Sequence, residues 1–474
     1  MSKVIYKKVA DWLRGEQCLR IVLVGSRYSG KSVFLTSLAS QLRDHDEKRC
    51  PLNGWSVIAE DCIDGTRKEG DFQSFKYSEA RRMLSNGEWP EKTADCSIWR
   101  QHVVLKKVLK KSDAGKTVKK RIYLEVMDLP GERVSDLPMI GRSYREWCGW
   151  FEDSFGGVSG SSENYNEYVK DLDNCQNADE AIFAYKKFIA AELAMFALSV
   201  TPSIVKLNRE GVNLKPEAGN LSLRERYLAA LDGMCIGLSK ESQFVPVTLS
   251  WLEKHGKTDA SGFKKAYNSY KREIVNPLAD WLSSANQVYY FVDVLGLLSR
   301  GPEVYNSEKK FGTAVLNLFK HSEPSNSMLR IVSHAVRSFI KTSVDAVYVV
   351  APKIDRVLPD DMGRVEGLAK NMFGKVLDSL EVMQSGVYCC SAVRTTEVVE
   401  KGSSYLLQGR VIDRDGMEKM CQYKPAPIPT DWPEGDKWQI RNQWPETFPK
   451  FDKREDKAPD QHGLDELIAK ILAL

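Results

Sequence analysis

The stretch Gly25-Ser26-Arg27-Tyr28-Ser29-Gly30-Lys31-Ser32 spaces two glycines, a lysine and a hydroxyl in the way a loop needs them to grip a polyphosphate. Backbone N–H groups of such a loop converge on phosphate oxygens, the Lys31 ammonium reaches the β- and γ-oxygens, and the Ser32 hydroxyl can ligate Mg2+. Glycine is needed at 25 and 30 because a Cβ there would hinder the turn or the close approach of the backbone. The apolar run Leu19–Val24 before the loop reads as a strand, and Val33-Phe34-Leu35 after it opens a helix whose dipole adds positive charge at the same point. The octapeptide and Val33 are therefore the candidate nucleotide contacts, and Lys31 is also a candidate catalytic group.

Holding a nucleotide is not yet hydrolysis or switching, which require an acidic group for Mg2+ and a residue that senses the γ-phosphate. Asp128-Leu129-Pro130-Gly131-Glu132 follows the apolar segment Ile122–Met127 and offers both, with Asp128 for the metal through a water and the Gly131 N–H for the phosphate. The Asp-x-x-Gly pattern occurs seven times in the chain, so strand context has to decide, and only Asp128 and Asp293 follow a strongly apolar strand. Asp128 takes the metal role; Asp293 reads either as functional or as a polar residue that closes a buried strand.

Base choice turns on a carboxylate, since guanine presents N1–H and N2–H2 as a paired donor edge and adenine does not. Lys353-Ile354-Asp355 follows the strand Val344–Ala351, at the carboxyl end where open α/β sheets bind ligands. Asp355 would accept the guanine edge, and the Lys353 stem would lie along the ring plane. One strand later, Ser391-Ala392-Val393 would supply a backbone N–H to the guanine O6. These elements favour GTP over ATP. For catalysis, Glu132 stands where many GTPases carry a glutamine, and its charge predicts slow intrinsic turnover. Arg27 and Arg133 are the candidate arginine fingers. Thr66 and Thr93 are the candidates to complete the Mg2+ shell.

Sixty-eight basic against 64 acidic residues leave a net +4 in 474, too small and too evenly spread to point to nucleic acid. The six histidines show no metal-ligand spacing among themselves or with the ten cysteines, which argues against zinc; irregularly spaced cysteines fit a reducing compartment. No secretory signal is read at the N-terminus, and no apolar run reaches the roughly 18 residues a membrane span requires. Any membrane link would be peripheral.

Alternation of strands with helical segments predicts an α/β fold, a mostly parallel sheet flanked by helices, with a large helical insertion and a C-terminal extension. Residues 1–150 hold an amphipathic helix at Ile5–Leu13, the loop, and a long hairpin of Ser97–Lys111 with Thr117–Asp128. Residues 151–285 form a mainly helical insertion. Residues 286–394 return to the core with strands at Val288–Val294, Val344–Ala351 and Val387–Ser391 and helices near Thr313–Lys341 and Asp360–Met383. Residues 395–474 add a hairpin at Val398–Ile412, a Pro- and Trp-rich segment that wraps a surface, and a terminal helix from Leu464.

Beyond the P-loop, the stretch Tyr123–Glu132 and the segment Phe291-Val292-Asp293-Val294-Leu295 with Ser299-Arg300-Gly301-Pro302 make the chain resemble the YcjX-like family of bacterial P-loop NTPases over nearly its whole length. The resemblance implies a GTP-binding and GTP-hydrolysing protein with a Mg2+ cofactor, of bacterial cytoplasmic origin and associated with envelope stress; a protein partner that reads the switch, and a peripheral place at the inner membrane, are separate expectations. Two residues depart from the pattern. Relatives carry arginine at the position of Tyr28, with Arg27 shifted by one. Pro352 stands where GTPases have Asn or Thr, and so removes a side chain that would tie the base loop to the P-loop. A nucleotide-locked module that scarcely turns over, an ATPase and a small-molecule kinase are the competing readings.

Overall fold

A computed structural model describes residues 17–26, 28–62, 72–91, 96–108, 117–156, 163–194, 202–203, 221–255, 259–319, 344–380, 382–402, 404–412, 417–438, 444–450 and 457–473. The N-terminal amphipathic helix, Arg27, Thr66, Thr93, the tip of the long hairpin and most of the helix expected near Thr313–Lys341 lie outside the described residues. The chain separates into two compact units. One comprises residues 1–131, 284–302 and 343–474, the other 132–283 and 303–342.

The first unit is built on an eight-stranded sheet in the order β2-β4-β5-β1-β6-β7-β8, with β3 beside β4. The strands are β1 Gln17–Gly25, β2 Ser56–Cys62, β3 Gln73–Ser74, β4 Ser97–Val108, β5 Thr117–Asp128, β6 Gln287–Phe291, β7 Ala346–Ala351 and β8 Gln384–Cys389. β1 runs parallel to both β5 and β6, and the parallel run continues through β7 to β8. A strand covered on both faces reads as an unbroken apolar run, and Ile21 to Val24 are fully buried. The hairpin expected from the sequence is present as β4 and β5, antiparallel with Ser97 opposite Asp128 and Val108 opposite Thr117.

Helices α1 (Lys31–Arg43) and α2 (Tyr77–Ser85) pack in this unit, and α1 lays Phe34, Leu35, Leu38 and Leu42 into the core, with the Phe34 ring edge-on to Phe291 at 5.0 Å. The last helix of the chain, Leu464–Ile471, buries Leu464, Leu467, Ile468 and Ile471 in the same cluster. The C-terminal extension thus helps to complete the core that carries the loop. The hairpin expected at Val398–Ile412 is larger than its sequence signal: β9 (Thr396–Lys401) and β10 (Ser404–Ile412) join β11 (Glu418–Tyr423) and β12 (Thr447–Phe448) in a four-stranded antiparallel sheet.

The second unit is helical. It contains α3 (Gly131–Val134, from Glu132 on), α4 (Tyr144–Gly156), α5 (Glu163–Asn174), α6 (Ala178–Ala194), α7 (Leu223–Asp232), α8 (Leu249–His255), α9 (Asp259–Tyr270), α10 (Asn276–Ser283) and α12 (Pro302–Leu316, from Glu303 on). A complete capping box of Ser222 and Glu225 starts α7. Its core is aromatic: Trp147 stacks on Tyr267 at 5.2 Å, and Phe151 meets Tyr185 and Phe188 edge-on. Among the described residues no helix is long and apolar enough to cross a membrane. In the first unit, α11 (Val294–Arg300) follows β6 and α13 (Pro359–Leu377) covers β7 and β8.

Candidate nucleotide site

Gly25 ends β1 with φ +148°, and a Cβ built there would lie 2.4 Å from the Phe291 carbonyl oxygen on β6. Gly30 sits in the left-handed region at φ +84° as the residue before α1. Glycine is demanded at both positions, at the first by closeness of the neighbouring strand and at the second by backbone conformation. Lys31, only 6% exposed, folds back into the loop, where its Nζ donates to the Gly25 and Ser26 carbonyls at 2.8 Å each and to Ser29 Oγ at 3.3 Å. The first turn of α1 holds no acidic residue and no capping side chain, so the helix dipole at this end favours an anion. Val33, in the first turn of α1, is half-buried.

Parallel pairing sets Leu23 of β1 beside Asp128 of β5. This brings the fully buried Asp128 to Ser32, whose hydroxyl donates to Oδ2 at 2.5 Å. A hydroxyl and a carboxylate meeting at the start of α1 form an oxygen donor pair that suits a hard cation such as Mg2+. Gly131 begins α3, and Glu132 and Arg133 follow in the same short turn. Arg133 donates to Ser203 Oγ at 3.1 Å, within the helical unit.

At the end of β7 the base loop holds Lys353 at φ +67°, an unusual conformation for a lysine. Its Nζ donates to the Tyr28 carbonyl of the P-loop at 2.9 Å and to Asp293 Oδ2 at 2.6 Å. The tie that Pro352 cannot make is therefore made by Lys353. Pro352 packs instead: a Cβ at Gly30 would rest 3.6 Å from the proline Cβ. Asp355 is 6% exposed and already engaged, with Oδ1 accepting from Ser391 Oγ at 2.6 Å and Oδ2 from the Thr395 N–H and Oγ1 at 2.7 Å each. The Ser391 N–H donates to the His462 carbonyl at 2.7 Å and is spent on that contact; Ala392 and Val393 follow it in the same loop.

Several residues around this site were not singled out by the sequence. Thr395 shares its hydroxyl with Thr447 at 2.6 Å, and Arg356 donates to the carbonyls of Trp444 and Pro445 at 2.5 and 2.7 Å. The C-terminal extension thus straps the base loop. These contacts span 52 to 89 residues and join ordinary residue types, so no local spacing announces them.

A profile of the YcjX-like family, DUF463, matches residues 19–193 and 240–473. A protein of Shewanella oneidensis named Ras-like GTPase YcjX is 22% identical over 447 residues, covering 89% of this chain and 86% of the relative. Its namesake in Escherichia coli K12 is 24% identical over 367 residues, covering 75% of this chain and 73% of the relative.

Proposed function

Because the chain belongs to the YcjX-like family, we propose that it binds GTP and hydrolyses it to GDP and phosphate, acting as a nucleotide-dependent switch. The observation that carries this reading is the Lys31 ammonium, folded into the loop of residues 25–32 at the joint of β1 and α1. Its three donors now rest on loop oxygens and would turn onto a polyphosphate that the neighbouring loop amides draw in. The names of the relatives support guanine nucleotide as the ligand.

Ser32 and Asp128 are the residues that would hold Mg2+, Asp128 through a water. The ion would supply charge neutralisation between the β- and γ-phosphates. Gly131 senses the γ-phosphate through its N–H, and the segment after it answers by changing shape. Glu132 orients the attacking water, and its negative charge keeps intrinsic turnover slow. Arg27 or Arg133 stabilises charge on the transferring group. An arginine in that role is worth about 10³ to 10⁵ in rate.

Asp355 reads guanine, and the hydrogen bonds around it set a condition. A carboxylate offers about four acceptor positions; Ser391 Oγ and the two Thr395 donors use three. Two donors of the guanine edge fit once the Thr395 hydroxyl turns to Thr447, its other partner. The amide to guanine O6 comes from Ala392 or Val393. Lys353 flanks the ring with its stem. A role in bacterial stress response in the cytoplasm rests on the family resemblance, and a protein partner would read the switch, in the cytoplasm or peripherally at the inner membrane.

Single-turnover phosphate release from GTP, with Lys31→Ala as the background, tests the enzymatic claim. Release above that background is expected, and release equal to it would leave a nucleotide-locked module. Asp355→Asn tests the base assignment: guanine nucleotide should weaken and xanthine nucleotide strengthen. An unchanged preference would reject Asp355 as the base reader.

A further inference from the structure

The sequence sets apart a segment that the reading above does not use, the strand end Phe291-Val292-Asp293 and the residues that follow it. β6 lies between the strand that leads into the P-loop and the strand that leads into the base loop: Gly25 pairs with Phe291, and Phe291 with Val350. Asp293 follows that strand, 7% exposed. Its two oxygens do different things. Oδ1 accepts the Gly296 N–H at 2.9 Å and caps α11, while Oδ2 accepts the Lys353 ammonium at 2.6 Å. The same ammonium reaches the Tyr28 carbonyl of the P-loop at 2.9 Å.

A cap alone needs no charge, because asparagine or serine caps a helix about as well as aspartate. Burying a carboxylate is costly unless a cation and hydrogen bonds compensate. Burial would raise the Asp293 pKa, yet the Lys353 ammonium, with Arg300 and Arg356, holds it down at about 2. Gly296 makes space for this carboxylate, since a Cβ there would lie 2.6 Å from Oδ2. A buried charge therefore faces a lysine that bridges the two ligand loops.

Resting on the nucleotide-binding reading of the P-loop, we propose that Asp293 is a positioning residue for the nucleoside half of the ligand. It fixes the Lys353 ammonium against the Tyr28 carbonyl, so that the base loop and the phosphate loop are held at one spacing and the lysine stem is set against the ring. The ion pair does the work of the side chain that Pro352 lacks. It acts on the base end, while the phosphates are gripped by Lys31 and the loop amides.

Asp293→Asn keeps the cap and removes the charge, and two measurements separate positioning from general damage. The first is the release rate of fluorescently labelled GDP; the second is competition by inorganic tripolyphosphate, which engages the phosphate loop alone. GDP release is expected to rise about 10- to 100-fold, less than full loss of a buried partner would cause because the asparagine carbonyl keeps a hydrogen bond to Lys353, with tripolyphosphate competition unchanged. Unchanged GDP release would overturn the proposal, and so would equal weakening of both ligands, which would mark a distorted P-loop. Should Asp293→Asn not fold, Lys353→Met retains the stem and removes the ammonium; it should accelerate GDP release to a similar extent, and an unaltered rate overturns the proposal. In the double variant the effects should not add. A wild-type protein that binds tripolyphosphate but no GDP would instead sink the base assignment, and one that binds neither would sink the nucleotide reading itself.

Discussion

The sheet unit and the helical unit each bury an aspartate, and they treat it in opposite ways. Asp293 faces the ammonium of Lys353 and is held as an anion. Asp136, 1% exposed in the helical unit, accepts from neutral donors: the Ser203 N–H at 2.8 Å, Ser203 Oγ at 2.5 Å and Tyr270 OH at 2.7 Å. Burial pushes its pKa up, and these hydrogen bonds and the charge of Arg133 only partly offset that. In the sheet unit Lys31, Asp128, Asp293 and Asp355 are buried at the carboxyl ends of the parallel strands, where the proposed nucleotide and cation would bind. The helical unit is instead organised by aromatic rings and hydroxyls.

If that contrast holds, the largest stability loss in the helical unit should come from a ring. Trp147 is fully buried, stacks on Tyr267 and meets Phe244 edge-on at 5.6 Å. Trp147→Ala should cost about 3 to 5 kcal/mol of unfolding free energy in urea denaturation. A loss below about 1 kcal/mol would show that the aromatic core is not what holds this unit.

The sheet unit should fail first at backbone, where two glycines allow a graded test. Gly25→Ala places a methyl 2.4 Å from the Phe291 carbonyl in addition to an adverse φ, and should cost about 3 kcal/mol. At Gly30→Ala the methyl meets Pro352 at ordinary contact distance, leaving only the left-handed backbone penalty of about 1 to 2 kcal/mol. The reverse order, measured by the same denaturation, would mean that strand closeness at β1 and β6 is not the reason for glycine.

How much of this was legible follows the same division. The P-loop, the Asp128 strand end and the Lys353–Asp355 loop are local patterns at strand ends, and β1, β4 to β8 and the terminal helix carry clear periodicity. β2 was missed, and so were β11, a short strand in a charged stretch just before the proline-rich segment, and β12 within that segment; both complete a sheet around β10, where tertiary pairing overrides local signals. Asp293 was visible as an apolar strand's polar end, but its partner lies 60 residues away. Asp136, Ser203 and Tyr270 carry no motif at all; they meet across up to 134 residues through packing of the helices.

The smallest expected effect gives the sharpest comparison of the two carboxylates, because it depends on sign. A group whose folded pKa is raised makes the folded state lose stability as pH rises above the unfolded aspartate value of about 3.9; one whose folded pKa is lowered makes it gain stability between its folded pKa and that value. Asp136 is of the first kind, so the destabilisation caused by Asp136→Asn should shrink as pH is raised from about 4.5 toward 8. Asp293 is of the second kind, with its folded value at about 2. The cost of Asp293→Asn should therefore grow between about pH 2 and 4 and stay level from 4.5 to 8. Urea unfolding of wild type and both variants across that range reads the two slopes directly. A flat difference for Asp136→Asn would mean that its carboxyl ionises as it does in water, and the opposition between the two units would then rest on their rings alone.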